Sequence, residues 1–188
     1  MNPLICLIAG LGLLILLPFI MYAIMYNTLI GLKNRVHESW SDIDTELKRR
    51  YDLIPNLVAA VKGYAAHERG IFERVAELRS QAMADNARPV QIDTEKQLTK
   101  ALGQVLATVE GYPDLKADRQ FRDLMHELSM TEDRIQAARR FYNANVRDYN
   151  IKIESFPSNI VAGMHHCKQE TFFDLESLDM RNLPQVKL

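Results

Sequence analysis

The residues able to do chemistry in this 188-residue chain fall into a few small groups. Five histidines are present: His37, His67, His126, His165 and His166. A di-iron site in a helical protein draws on Glu-x-x-His pairs from two helices. No histidine here has a glutamate three residues before it, and the nearest approach is Asp123-x-x-His126. His165-His166-Cys167 is the densest set of metal-ligating types, but adjacent side chains rarely reach one ion together. His67-Glu68 lacks the second histidine of a zinc-protease helix. There is no glycine-rich phosphate loop and no nucleophile elbow. Ser39 and Ser41 flank Trp40, with no His and Asp spaced to activate them. The reading is a non-enzyme, with no catalytic residue, no metal ligand set and no cofactor.

Charge offers more. Lys48-Arg49-Arg50 is a candidate interaction surface for anionic lipid or an acidic protein partner. The competing reading is a solvated helix face with i,i+4 pairs Asp44–Lys48 and Glu46–Arg50. Glu68 falls in a seam otherwise filled by apolar residues. Either its stem packs while the carboxylate reaches water or an arginine, or it is a buried polar group that fixes helix register. Arg139 and Asn143 are further candidate buried polar residues. With His67 and Glu68 they define the alternative function, a metal- or small-molecule-binding bundle. Tyr142-Asn143 and Tyr149-Asn150 repeat at seven residues, as core tyrosines beside hydrogen-bonding asparagines would.

The elements that must position these groups are helical. Only eight glycines occur, and helix-forming residues run throughout. The 23 Lys and Arg and 24 Asp and Glu all lie beyond residue 32, and a net charge of −1 gives no nucleic-acid signature. Cys6 and Cys167 are too far apart in sequence and setting to suggest a disulfide framework. Leu4 to Tyr26 is mostly apolar and makes about 34 Å of helix, enough for a hydrocarbon core of about 30 Å. Residues 4–26 are therefore expected to contact the lipid bilayer. Without a basic leader or a small-residue cleavage site, the segment reads as a retained anchor rather than a signal peptide. Lys33, Arg35 and the basic triplet follow it, so the positive-inside bias places the N-terminus outside and the domain in the cytoplasm.

Beyond the anchor, apolar residues recur every three or four positions. Leu29, Leu32, Val36, Trp40, Ile43, Leu47, Tyr51 and Ile54 form a first seam, which Pro55 is expected to end. Leu57, Val61, Tyr64, Ile71, Val75, Leu78 and Ala82 form a second. A loop is expected over Asp85 to Asp93, then a third helix with Leu98, Leu102, Val105, Val109 and Tyr112. Asp118 is a candidate cap for a fourth helix, in which Phe121, Leu128, Ile135, Tyr142, Tyr149 and Phe156 recur every seven residues. The fold expected is all-α: an N-terminal transmembrane helix followed by an antiparallel four-helix bundle of long helices, with an irregular C-terminal tail. The fourth helix is longer than its neighbours, which predicts a bend near Asn143–Asn150 or, preferably, a break near Asn27–Gly31.

These residues resemble the LemA family. The matching stretches are the Tyr26-Asn27 opening, Trp40-Ser41-x-Ile43-Asp44, the run from Leu47 through Pro55 to Val58, and Val61-Lys62-Gly63-Tyr64 with His67-Glu68. Later ones are Tyr112-Pro113-x-Leu115-Lys116-Ala117, Thr131-Glu132-x-Arg134-Ile135, Ala138-Arg139-x-x-Tyr142-Asn143, Tyr149-Asn150 and Phe156-Pro157-Ser158-Asn159. After Ala162 the chain departs from the pattern, with Met164-His165-His166-Cys167 where the family continues through a Gly-Phe-containing segment. The resemblance implies a bacterial single-pass membrane protein with a helical-bundle domain and no established enzymatic activity. Residues 1–28 are then the anchor in the bacterial inner membrane, 29–157 the bundle and 158–188 a partly ordered tail. The function expected is a protein-interaction or assembly scaffold with an unknown protein partner, possible self-association and no nucleic acid.

Overall fold

The computed structural model describes residues 3–62, 69–84 and 88–173. The described residues are helical, with no strand among them. Six helices follow in order: α1 (Pro3–Lys62), α2 (Arg69–Ala84), α3 (Arg88–Val109), α4 (Pro113–Ala117), α5 (Arg119–Glu154) and α6 (Ser158–Met164). The described residues form two compact units, one of residues up to Trp40 with Phe141–Phe172, the other of Ser41–Arg140 with Phe173.

The first correction concerns α1. It runs unbroken through Pro55 and through Asn27–Gly31, where sequence rules predict a boundary and a break. A proline inside a helix removes one N–H and leaves the carbonyl four residues earlier without its partner. That carbonyl belongs to Tyr51, and the Nε of Arg79, on α2, donates to it at 2.7 Å. The acceptor is thus satisfied from another helix, and α1 continues for two more turns. The stretch Asn143–Asn150, the other place a bend was considered, is uninterrupted helix within α5.

In the unit built on Ser41–Arg140, α1 buries Ile43, Leu47, Arg50, Tyr51, Ile54, Leu57 and Val61. From α2 come Phe72, Val75, Leu78 and Ala82. Phe72 takes the buried place expected for Ile71. α3 starts at Arg88, so residues 88–93 are helix rather than loop, and Pro89 falls in the first turn, where a missing N–H costs nothing. The Asp118 carboxylate accepts the Phe121 N–H at 2.8 Å, as an N-cap does.

In the unit that includes Phe141–Phe172, Leu29 and Val36 of α1 are buried, as are Tyr142, Val146, Tyr149 and Ile153 of α5. Trp40 meets Tyr142 edge to face, with ring centroids 5.3 Å apart. The seven-residue repeat fails at its last member. Phe156 is 81% exposed, because α5 has ended at Glu154 and a cis Phe156-Pro157 turn leads into α6. The segment expected to be irregular is partly helical: α6 buries Val161 and Ala162. Residues 165–173 then fold back on α5.

Candidate functional site

The site grows from Arg50, one residue before the Tyr51 whose carbonyl Arg79 takes. Arg50 was expected at a contact surface with Lys48 and Arg49. It is instead 1% exposed. The seam explains why: Arg50 lies three residues after Leu47 and four before Ile54, so it shares their inward face. Its Nη2 donates to Glu95 of α3, and its Nη1 donates to Glu132 of α5 at 3.0 Å and to the Thr99 hydroxyl at 3.1 Å. Tyr51 donates its hydroxyl to the other oxygen of Glu95. One guanidinium fork thus ties three helices together.

Burial pushes the Arg50 pKa down, and the Glu132 carboxylate opposes that. Burial pushes the Tyr51 hydroxyl up, with Arg50 and a hydrogen bond from Gln91 pulling the other way. Removing two charges from water costs several kcal/mol per ion, and the pairing returns that only where geometry is close. A planar fork meeting two carboxylates supplies part of that geometry, which a lysine at this position would not, while the Arg50 Nε is buried without a hydrogen-bond partner among the described residues. The fork's donors face the protein's own carboxylates and the Thr99 hydroxyl. It joins α1, α3 and α5 through one buried side chain.

The other two residues of the basic triplet remain outside. Lys48 pairs with Asp44 at 2.8 Å, and Arg49 pairs with Glu46 at 3.1 Å. The first is the i,i+4 pair expected; the second replaces the expected Glu46–Arg50, since Arg50 points inward. The Asp44 hydrogen bond raises the Lys48 pKa. Glu68 and His67 lie outside the described residues. Arg139 is half-buried, with its guanidinium 4.9 Å from the centre of the Phe173 ring, and Asn143 is half-buried.

The His165-His166-Cys167 segment does not converge on one point. The His165 Nε2 lies 2.8 Å from the Tyr22 hydroxyl, and its ring lies 4.5 Å from that of Tyr26. Cys167 turns toward Tyr149, with which it shares a hydrogen bond. Among the described residues no three His, Cys, Asp or Glu side chains could hold a metal ion together. Beyond Cys167 the tail is strapped to α5. The Asn150 side chain accepts the Glu170 N–H and donates to the Glu170 carbonyl, both at 2.9 Å, and Tyr142 donates to the Thr171 carbonyl at 2.8 Å. The repeated Tyr and Asn positions hold the tail.

Sequence reasoning missed Glu95, Thr99, Glu132 and Arg79 as partners. A signal existed for the first: Glu95 falls three residues before Leu98, inside an apolar seam, as Arg50 does in its own helix. Two opposite charges in two seams are candidates for each other.

These features define a class: an all-α protein with one N-terminal helix long and apolar enough to cross a membrane, and a helical domain tied by a buried ion cluster. The chain belongs to the LemA family, whose model matches residues 39–188. It is similar to Magnetosome protein MamQ 2 of Paramagnetospirillum magneticum, 26% identical over 174 residues, covering 79% of this chain and 64% of that protein. It is also similar to Protein LemA of Metamycoplasma hominis, 29% identical over 147 residues, covering 77% of this chain and 66% of that protein. Magnetosome protein MamQ of Magnetospirillum gryphiswaldense is 25% identical over 194 residues, covering 89% and 71%. The chain spans a little under two thirds of the length of the first two of these relatives.

Proposed function

We propose that this protein is a non-enzymatic, membrane-anchored helical scaffold that docks another protein at the cytoplasmic face of the bacterial inner membrane. The names of its relatives carry no enzymatic activity, which supports the first part. The basic residues that follow the apolar segment support the orientation.

The observation that carries the docking is a groove of about 420 Å³ between α3 and α5. Leu102, Leu106, Met125 and Leu128 give it an apolar floor, and Asp133, beside the Arg50-paired Glu132, gives it a negative margin. Gly103 lies in its α3 wall, and a Cβ there would meet nothing within 4 Å. Glycine inside a helix costs about 1 kcal/mol relative to alanine, and here no atom of the described residues uses the space it leaves. A partner helix with apolar side chains one turn apart and a Lys or Arg beside them fits this lining. The exposed Lys48 and Arg49 offer a second, basic face.

In-membrane crosslinking from Ser129, in the groove, tests the reading. Gly103→Leu places a side chain in the groove at a position whose Cβ meets nothing within 4 Å, and is expected to lower partner capture about tenfold, as the loss of about 1.4 kcal/mol would. Lys48→Glu with Arg49→Glu tests the basic face. Capture unchanged in both variants overturns the scaffold reading, and capture of this same chain makes it a self-assembling one.

A further inference from the structure

The two faces of α1 between residues 12 and 40 differ. On one, Tyr22 and Tyr26 meet His165, and Leu29 and Val36 are buried. The other carries Leu13, Leu17, Ile20 and Ile24, all exposed, at three- and four-residue spacing. Continuing along that stripe come Asn27, Thr28, Gly31 and Arg35. Ile24, Leu32 and these four line a shallow groove of about 470 Å³.

We infer that this groove holds the phosphate headgroup of an anionic phospholipid, between Asn27 and Arg35, with an acyl chain along Leu13, Leu17, Ile20 and Ile24. This rests on the membrane-anchor reading of residues 4–26.

Three observations carry it. The first is the order of chemistry along one stripe: apolar to Ile24, amide at Asn27, open space at Gly31, guanidinium at Arg35. That is the order of a lipid from tail to phosphate. From Tyr26, the end of the apolar stretch, to Gly31 the helix rises about 7.5 Å. The polar layer on each side of a bilayer is about 5–7 Å deep. The Arg35 side chain, directed back toward the helix N-terminus and lining the groove with Gly31, reaches that layer.

The second is availability. Arg35 and Asn27 make no side-chain hydrogen bond or ion pair among the described residues, whereas Lys48, Arg49 and Arg50 are each paired with carboxylates. Thr28 gives its hydroxyl proton to the Ile24 carbonyl at 2.8 Å, so the groove's donors toward a phosphate are Asn27 and Arg35. No carboxylate lines the groove. The third is Gly31, where a Cβ would meet nothing within 4 Å. With no side chain of its own there, this position leaves the groove open between Asn27 and Arg35 among the described residues.

The test uses the full chain in nanodiscs of equal phosphatidylglycerol and phosphatidylcholine, with retained lipid read by native mass spectrometry. Wild-type protein is expected to retain phosphatidylglycerol about fivefold over phosphatidylcholine, matching about 1 kcal/mol per basic side chain at an anionic surface. Arg35→Gln and Gly31→Leu are expected to abolish the preference, and Lys33→Gln, on another face, to leave it. A chain that inserts but retains both lipids equally, or keeps its preference in both groove variants, overturns the headgroup site alone. A chain that does not enter the discs overturns the anchor reading, and the site with it.

Discussion

The Arg79 guanidinium, on α2, donates to the backbone carbonyl of Tyr51, on α1, at 2.7 Å. This is the carbonyl that Pro55 leaves without a donor. The pair accounts for an unbroken α1, and it gives a prediction with an internal control. Arg79→Ala leaves a carbonyl short of a partner and is expected to lower stability by about 1.5–3 kcal/mol. In a Pro55→Ala background the missing N–H returns, and the same change is expected to cost less than about 1 kcal/mol. Urea denaturation in detergent, followed by far-UV circular dichroism, reads the coupling. Equal losses in the two backgrounds would remove this explanation of α1.

Arg50 leads to a second prediction. Arg50→Met leaves Glu95 buried and without its cation, and is expected to cost about 3–5 kcal/mol. Arg50→Met with Glu95→Leu is expected to recover at least about half of that loss, since an apolar pair needs no charge solvation. By contrast, Lys48→Glu with Arg49→Glu is expected to change stability by less than about 1 kcal/mol, the ordinary size for exposed pairs. The same denaturation measurement orders the three variants. A harmless Arg50→Met would mean that the cluster does not hold the helices.

Base titration gives a third. Burial, with smaller contributions from Cys167 and Glu170, pushes the Tyr149 hydroxyl up from 10.0 to about 12. A phenol with a raised folded-state pKa favours the neutral form in the fold. Its contribution is fully present below about pH 10 and is lost as pH rises toward 12. Tyr51 is shifted in the same direction by burial and adds to the same window. Wild-type protein is expected to lose stability steeply between pH 10 and 12, and Tyr149→Phe to lose it less steeply. Melting temperature against pH, with tyrosinate absorbance as the second probe, reads this. Identical slopes for the two proteins would place Tyr149 outside the linkage.

Much of the fold is written locally in the chain. The apolar stretch before residue 32, the seam from Leu29 to Ile54 and the seven-residue repeat from Phe121 to Tyr149 are spacing patterns, and helices follow from spacing. The Asp118 cap is equally local. The basic triplet shows where such rules stop. Its three residues are adjacent and alike in charge, yet only Arg50 faces the core, and its carboxylates stand 45 and 82 residues away. Glu68, singled out for the same reason as Glu95 would have been, lies outside the described residues. Phe156 kept the repeat in sequence but lost the helix that gave the repeat meaning.

By itself, the sequence determined that the protein is helical, which faces of its longest helices turn inward, and that its N-terminal segment is apolar enough to cross a membrane. Periodicity and composition act within a few turns, so they can be read residue by residue. Tertiary structure alone decided that α1 passes Pro55, that Arg50 is a buried clamp rather than a contact surface, and that Asn150 and Tyr142 hold the tail. Each of those depends on a donor or acceptor brought from 20 or more residues away. A buried polar group is stable only when its partner is in place, and the partner's identity is a property of the packed chain.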